Sequence, residues 1–436
     1  MLSPIRYAPD AQDPKLTDIL ARQIEFTPEL ESSVERIISE VVSNGDEAVL
    51  TFTREFDGVD LTPEQLVVTP DELDRAARCA DPALIEVIQA AADNIRRFHE
   101  NQKRADWSVD DGDGVTLGKR IVPIERVGLL VPGASAPLFS TLLMAAIPAK
   151  IAGCSHIAVA TPPQADGDIH PAVLAAAKIA GVDRVYRAFG AQAVAALAFG
   201  TQTFTPVDKL AGPGHPVVQI AKKKVFGRVD IDMVAGPSEI VVVADHTANS
   251  RHVAADMLSQ AEHGSGYEAA VCVTPDPNIA AAVSDELRRQ LADLSHREDA
   301  ERALSRYGAI VITKDLGEAV DLVNEIAPEH VEMIVEDPWE LQKGVRHAGA
   351  VFLGPASSEP VGDYFAGTNH ILPTAGAARY ASSVGVDTFL KDISIVSYTN
   401  ERLRKSAGAI IQMAEAEGLD GHANAIRVRL QTPEDE

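Results

Sequence analysis

The feature that most constrains the fold is an alternation of short apolar strands with helices, which begins at residue 126. RVGLLVPG at 126–133 is typical of a buried strand that ends in a turn, and STLLMAAIPAKIAG at 140–153 is typical of a helix. HIAVATPP at 156–163 and HPAVLAAAKIAG at 170–181 repeat this pair. Strands and helices that alternate in this way predict a parallel sheet covered by helices, so we expect an α/β fold.

The alternation continues towards the C-terminus and forms two blocks, at about 126–238 and about 239–378. Before the first block, residues 31–103 have apolar side chains at helical spacing, and short predicted strands flank an Asp/Gly-rich turn at 110–114. From Tyr380 onward the pattern favours helix. The sequence therefore predicts a helical N-terminal region, two α/β blocks and a helical C-terminal segment.

The usual dinucleotide-binding turn, GxGxxG, is absent from this chain. GPGHPV at 212–217 has the first two glycines, but Val217 stands in place of the third. Any dinucleotide would therefore bind without the usual glycine-rich turn.

The amino-acid composition limits the possible binding partners and the cellular compartment of the protein. The formal net charge of −25 argues against nucleic acid and anionic membranes, which attract proteins rich in Lys and Arg. The three cysteines are far apart and form no CxxC pair, which favours a reducing compartment. The N-terminus has no apolar signal region and no stretch is long enough to span a membrane, so we expect a cytoplasmic protein.

The first candidate for chemistry is DMLSQAEHG at 256–264. Gln260 and His263 are three residues apart near the end of a predicted helix, so both side chains lie on one face. Histidine is a common zinc ligand, and glutamine supplies an oxygen. Taken alone, the motif fits a polar helix end better than a metal site.

Three further segments carry polar groups. The loop GDYFAGTNHILPT at 362–374 holds Asp363 and His370 and follows a predicted strand, where α/β proteins often bind ligands. Ser238 lies in AGPSE just before another strand, and Glu417 and His422 lie in a glycine-punctuated segment near the C-terminus. Each segment alone also fits an ordinary turn or helix end.

Together, the candidates indicate a metal centre with two bases beside it. Gln260, His263, Asp363 and His422 offer two nitrogens and two oxygens, a ligand set that suits zinc. Glu329 and His330 are adjacent in APEH and would supply the bases. The set fits either a hydrolase or a dehydrogenase.

Several long motifs, in this order, resemble the histidinol dehydrogenase family over nearly the whole chain. They are RVGLLVPG, GAQAVAALAFGT, AGPSE, DMLSQAEHG, APEH, GDYFAGTNHILPT and EGLDGH. The resemblance implies a homodimer that oxidises L-histidinol to L-histidine in two NAD-dependent steps, through an aldehyde. It also implies two incomplete Rossmann-like units, and we expect an N-terminal arm at 1–25, an α/β domain formed by 26–125 with 239–378, a second at 126–238, and a C-terminal segment at 379–436.

The resemblance also implies a role for each candidate residue. Zinc would be bound by Gln260, His263, Asp363 and, from the other subunit, His422, and the same four residues would touch the substrate. The catalytic bases would be Glu329 and His330, the latter also a substrate contact. Further substrate contacts would come from Ser238, His370 and Glu417.

The family positions near NAD are the least typical part of the sequence. They correspond to Leu130, Gln192 and His215, where the family usually has Tyr, Gln and Asn, and Ala134 replaces a glycine of the family's PGG turn. The substrate and metal positions are all retained.

Two other enzymatic functions compete with this interpretation. One is a related zinc- and NAD-dependent dehydrogenase of another small alcohol, such as a sulfonated diol, although Ser238 and Glu417 favour an amino-imidazole substrate. The other is a zinc hydrolase in which Glu329 activates metal-bound water. The absence of the GxGxxG turn favours this interpretation. A binding protein without catalysis fits poorly with a complete candidate ligand set.

Overall fold

The computed structural model describes residues 2–8, 13–22, 26–133 and 137–431, so Ala134 lies outside the described residues. The chain is a mixed α/β protein, as the alternating pattern predicts. Within the described ranges its strands are β1 (Ile5–Arg6), β2 (Trp107–Asp110), β3 (Val115–Pro123), β4 (Arg126–Leu130), β5 (His156–Thr161), β6 (Arg184–Arg187), β7 (Lys209–Ala211), β8 (Asp230–Ile231), β9 (Glu239–Ala244), β10 (Ala269–Thr274), β11 (Gly308–Ile312), β12 (His330–Ile334), β13 (Ala350–Leu353) and β14 (Leu390–Tyr398).

Helices fill most of the connections between these strands. They are α1 (Pro14–Leu20), α2 (Pro28–Asn44), α3 (Asp46–Asp57), α4 (Pro70–Cys79), α5 (Pro82–His99), α6 (Phe139–Ala152), α7 (Pro171–Ala180), α8 (Ala191–Phe199), α9 (Pro216–Val225), α10 (Ser250–Ala261), α11 (Pro277–Leu291), α12 (Arg297–Tyr307), α13 (Leu316–Ile326), α14 (Pro338–Leu341), α15 (Glu359–Val361), α16 (Asn400–Ala416) and α17 (Asp420–Arg427). None of them is long and apolar enough to cross a membrane.

Five strands of the second α/β block and β1 of the N-terminal segment form a six-stranded parallel sheet in the order β1-β11-β10-β9-β12-β13. Every residue of β9 and of β10 is buried, which is the pattern of strands with a helical layer on each face. In the register of this sheet His330 lies beside Ile240, so β12 starts next to the start of β9. This pairing brings Glu239 and Glu329 to the same amino edge of the sheet.

The first α/β block forms a second parallel sheet, in the order β6-β5-β4-β7-β8. The N-terminal helices pack on the helices of this sheet: α2 against α8 and α9, α4 against α7, and α5 against α6. Their apolar stripes, for example Val34, Ile37 and Val41 of α2, are buried in the same core as Leu130 and Leu197. The division of the chain into domains that the sequence suggests stays a prediction.

By compactness, the described chain separates into a large unit, residues up to 102 with 124–389, and a small unit, 103–123 with residues from 390 onward. The small unit has an antiparallel sheet in the order β14-β3-β2, together with α16 and α17. The strands expected on either side of the turn at 110–114 are confirmed as β2 and β3.

One expectation for the C-terminal segment is wrong, because residues 390–398 form a nine-residue strand instead of helix. The segment LKDISIVSY alternates polar and β-branched residues, which suits a strand. Its partner β3 lies far away in the sequence, so the pairing that stabilises the strand is not visible in the local pattern.

Candidate active site

The two predicted bases lie at the junction between α13 and β12. Ala327 ends α13 with a φ of 52°, an unusual value for a residue with a side chain, and Pro328 follows. The left-handed turn lets Glu329 and the first residue of β12, His330, share one site. Both are buried, with 6% and 2% of their surface exposed.

The backbone of Glu239, at the start of β9, holds both bases. Its N–H donates to Glu329 Oε2 at 3.0 Å, and its carbonyl oxygen accepts from His330 Nδ1 at 3.0 Å. Because a carbonyl oxygen only accepts hydrogen bonds, His330 carries a proton on Nδ1. Its Nε2 atom faces Asp363 Oδ1 at 3.7 Å and has no hydrogen-bond partner in the described part of the chain.

Asp363 lies in a single π-helical turn, Gly362–Ala366, that follows α15. Such turns are frequent at functional sites because they displace one residue from the regular helix. The loop follows β13 in the sequence, yet Asp363 reaches the amino edge of β12 rather than the carboxyl edge that the sequence suggested. His370, from the same loop, donates from Nδ1 to the Asp363 carbonyl oxygen at 2.9 Å, and its Nε2 lies 3.1 Å from Thr141 Oγ1.

Gln260 and His263 meet at the end of α10, as their spacing predicts. His263 Nδ1 lies 3.4 Å from Gln260 Nε2 and 3.1 Å from the Gln260 carbonyl oxygen. Gln260 is fully buried, and its side-chain Oε1 has no hydrogen-bond partner among the described residues. A buried, unpaired acceptor is costly, so this oxygen is suited to a ligand that the protein atoms do not supply.

Glu359 is a site residue that the sequence reasoning missed. Its Oε2 accepts from Ser259 Oγ at 3.1 Å, which links α10 to the turn of Asp363. Ligand atoms of His330, Glu359 and Asp363 lie within 4.8 Å of one another, close enough to hold a metal ion. The position of Glu359, four residues before Asp363, is the signal that could have revealed it.

Burial and charge perturb the pKa values of these groups strongly. Burial raises the pKa of Glu329 to about 7, although the neighbouring His330 opposes the shift. Burial lowers the pKa of His330, but the carboxylates of Glu329 and Asp363 outweigh it and raise this pKa to about 10. Burial, with Asp363 nearby, raises the pKa of Glu359 to about 8. Such clustering of shifted groups is typical of catalytic sites.

Behind these residues lies a second buried acid, Glu332 of β12. Its Oε1 accepts from the Glu359 N–H at 2.5 Å, and its carboxyl group interacts with the Asp256 side chain of α10. Burial first, and then the Asp256 carboxylate, raise the pKa of Glu332 to about 9. Glu332 is therefore protonated at neutral pH.

The three residues predicted to contact NAD belong to the first α/β block, Leu130 in β4, Gln192 in α8 and His215 just before α9. Leu130 is fully buried in the hydrophobic core, and Gln192 is 1% exposed with an Oε1 that has no partner in the described ranges. His215 is exposed at the start of α9. The GPGH turn before it is shaped by Gly212, whose φ is 121° and where a Cβ would lie 2.2 Å from the Leu130 carbonyl oxygen, so no other residue fits.

The remaining predicted residues lie in different parts of the chain. Ser238 is half-buried directly before β9. Glu417 and His422 belong to the small unit, where both are exposed, at the end of α16 and in α17. The roles assigned to all these residues stay predictions.

Comparison with known proteins identifies the family. A family model described as histidinol dehydrogenase matches residues 20–430. The chain belongs to the histidinol dehydrogenase family. It is 50% identical to the histidinol dehydrogenase of Moorella thermoacetica over 91% of this chain and 93% of that protein. It is 49% identical to that of Geobacillus kaustophilus, over 95% and 97%.

The fold agrees with this assignment. The crystal structure of histidinol dehydrogenase from Elizabethkingia anophelis superposes with a TM-score of 0.92 and 37% identity, over 98% of both chains. The chain is therefore an oxidoreductase of histidine biosynthesis, and the family resemblance seen in its motifs is confirmed. The dehydrogenase interpretation is supported over the hydrolase.

The state of Glu332 leads to a first prediction. A pKa raised from 4.5 to about 9 adds stability below pH 4.5, and this stability is lost as the pH rises to about 9. Glu332→Gln stays neutral, so we expect its Tm to exceed that of the parent increasingly from pH 5 to pH 9, reaching a few degrees. Thermal unfolding across this pH range measures the difference, and Glu340→Gln, at an exposed position of α14, is the control. Parallel pH profiles of the parent and Glu332→Gln would contradict the prediction.

Proposed function

We propose that this chain oxidises L-histidinol to L-histidine through L-histidinal, with two molecules of NAD, one zinc ion per site, and Glu329 and His330 as the bases. The observation that carries the proposal is the pair of buried bases held by the backbone of Glu239 beside Asp363. Two successive oxidations need two proton acceptors at one carbon atom of the substrate, and this arrangement supplies both.

The donor set fits zinc. Gln260 Oε1 is buried without a partner in the described structure, His263 lies beside it, and Asp363 adds a carboxylate. These three residues of one chain and His422 of the partner subunit would hold the ion. When bound, a zinc ion would anchor the amine and imidazole of the substrate and offset the negative charge around His330.

In the first oxidation His330 is the base. A bound cation would offset the carboxylates that raise its pKa to about 10, and the imidazole would then be neutral and able to accept a proton. Its Nδ1–H is engaged by the Glu239 carbonyl oxygen, so its Nε2 faces the side of the site where Asp363 lies. As hydride passes from the alcohol carbon to NAD, the hydroxyl proton passes to Nε2, and the product is the aldehyde. Its fixed orientation keeps the acceptor nitrogen aligned with the substrate.

In the second oxidation Glu329 is the base for water. Its pKa of about 7 is matched to proton transfer near neutral pH. The carboxylate takes a proton from the water that adds to the aldehyde. His330, protonated in the first oxidation, returns its proton to the aldehyde oxygen, which completes the hydrate. The hydrate then loses one hydroxyl proton to His330 as hydride leaves to a second NAD, and this yields the carboxylic acid.

Substrate and cofactor contacts complete the proposal. Ser238 and His370 border the site, and Glu417 would pair with the positive charge of the substrate. Gln192, with its buried unpaired oxygen, supports a polar contact with NAD. Leu130 has its side chain in the core, so a contact between this residue and NAD would come from its backbone. His215 is the third residue on the cofactor side.

We also propose that the protein is a homodimer with shared active sites. In the small unit, Val109, Leu117 and Val396 lie side by side across β2, β3 and β14, and they are 61%, 47% and 70% exposed. Apolar residues that are exposed together usually mark an interface, which supports a second copy as their partner. In a two-fold dimer each subunit would lend His422 to its neighbour.

The proposal is tested by the formation of NADH from histidinol and NAD. We expect two NADH for each histidinol consumed, with histidine as the product, because both steps occur at one site. Thorough chelation should abolish turnover, and added zinc should restore it. Full activity in metal-free protein would contradict the proposed need for zinc. Histidinol that stays unchanged would contradict its assignment as the substrate.

Glu329→Gln separates the two steps. The amide still hydrogen-bonds but cannot take a proton from water, so we expect oxidation of histidinal to slow more than oxidation of histidinol, by about 100-fold or more. Supplying histidinal directly isolates the second step, and Glu325→Gln, at an exposed position of α13, is the control. A variant that oxidises histidinal at the parent rate would remove Glu329 from this role.

Mixed dimers test the sharing of His422. We expect His263→Ala and His422→Ala to be inactive alone. When they are co-expressed, one site of each mixed dimer carries both changes and the other site carries neither. Random pairing makes half of the dimers mixed, so about a quarter of parental activity should return. If mixed dimers form and stay inactive, His422 serves its own chain.

A further inference from the structure

A buried ion pair stands behind the two bases. Arg22, which follows α1, places Nη2 2.6 Å from Glu239 Oε1, and only 7% and 5% of the two side chains are exposed. The same Nη2 donates to the Pro237 carbonyl oxygen at 3.0 Å, and the guanidinium lies 5.6 Å from the centre of the Tyr307 ring. The N-terminal segment is thus tied to the strand that holds the catalytic pair.

Stability alone is a poor explanation for this pair. Removing two charges from water costs about as much as their attraction returns, and apolar residues of similar volume often replace such pairs without loss. Burial raises the pKa of Glu239, and Arg22 opposes this shift, so its positive charge favours the ionised carboxylate. The pair is important because Glu239 lies beside the two bases, rather than because the pair stabilises the fold.

Glu239 forms hydrogen bonds through three groups: its backbone N–H, its backbone carbonyl oxygen and its side-chain carboxylate. Its N–H and its carbonyl oxygen hold Glu329 and His330, as described above. Its side-chain Oε1 accepts from Arg22 and also from the Ala375 N–H, at 2.5 Å. Ala375 has a left-handed φ of 52°, so the bond to Glu239 holds a strained residue in the loop that carries His370.

We propose that Arg22 and Glu239 form a positioning pair for the chemical steps, an inference that rests on the proposed function. The side chain of Glu239, fixed by Arg22, determines where its backbone N–H and carbonyl oxygen lie. These two backbone groups set the orientation of Glu329 and His330. Neither side chain of the pair reaches the substrate; both act through the bases.

The proposal predicts a specific kinetic pattern in Arg22→Met and Glu239→Gln. Because one backbone segment holds both bases, oxidation of histidinol and of histidinal should slow together, on the order of 10- to 100-fold in kcat. The KM for NAD and the zinc content per chain should not change, since the NAD and zinc ligands are other residues. Glu329→Gln, in contrast, slows mainly the second step.

Three further variants separate positioning from stability. Arg22→Lys keeps the charge without the planar fork, so its kcat should be intermediate. The double variant Arg22→Met/Glu239→Gln leaves no unpaired buried charge, so it should regain Tm over Arg22→Met but not kcat. Arg187→Met, which breaks the partly buried pair of Arg187 with Glu72 at 2.7 Å, is the control and should lower Tm with kcat unchanged.

Two results would overturn the proposal: a lowered Tm in Arg22→Met with kcat unchanged per zinc-loaded site, or recovery of kcat in the double variant. Crystal structures test it independently of turnover. The bonds of 3.0 Å from Glu239 to Glu329 and His330 should persist in the parent and in Arg187→Met, and be lost in Arg22→Met. Their persistence there would also overturn it. If the parent forms no NADH from histidinol, the proposed function is rejected. The crystal structures would then still test whether Arg22 and Glu239 position Glu329 and His330.

Discussion

The site depends on one backbone segment, the start of β9 at Glu239. Parallel pairing of β9 with β12 places the Glu239 peptide groups beside Glu329 and His330. Backbone groups in the middle of a sheet are the most rigid donors and acceptors that a protein has. The orientation of the bases therefore requires the correct sheet register, because a slip of one residue would turn His330 to the other face.

The second constraint is an excess of buried negative charge. The carboxyl groups of Glu329, Glu359 and Asp363 lie near the His330 imidazole, and Glu332 lies behind them against Glu359. Burying several anions together is costly, and the raised pKa values of Glu329, Glu332 and Glu359 express that cost. A bound cation and a positively charged substrate would both reduce it. The same carboxylates thus favour a metal ion and an amine substrate.

Much of the fold follows from local pattern. The pattern of apolar residues between 126 and 353 predicts strands and helices that the structure confirms. Buried parallel strands are continuous apolar runs, so they can be recognised from their own residues alone. The strand at 390–398 was missed for the opposite reason: its partner β3 lies far away in the sequence. The packing of α2 to α5 on the helices of the first α/β block likewise depends on which apolar faces meet.

For the site, the sequence by itself determined the family and the identity of the chemical groups, since long motifs such as APEH and GDYFAGTNHILPT carry that information in their order. Spacing also determined that Gln260 and His263 meet, because a helix turn brings them together. Only the tertiary structure decided that Glu359 joins Asp363 and His330, that Leu130 is in the core, and that Arg22 stands behind the bases. These relations join residues that are far apart in the chain, and only the packing of the strands, helices and loops brings them into contact.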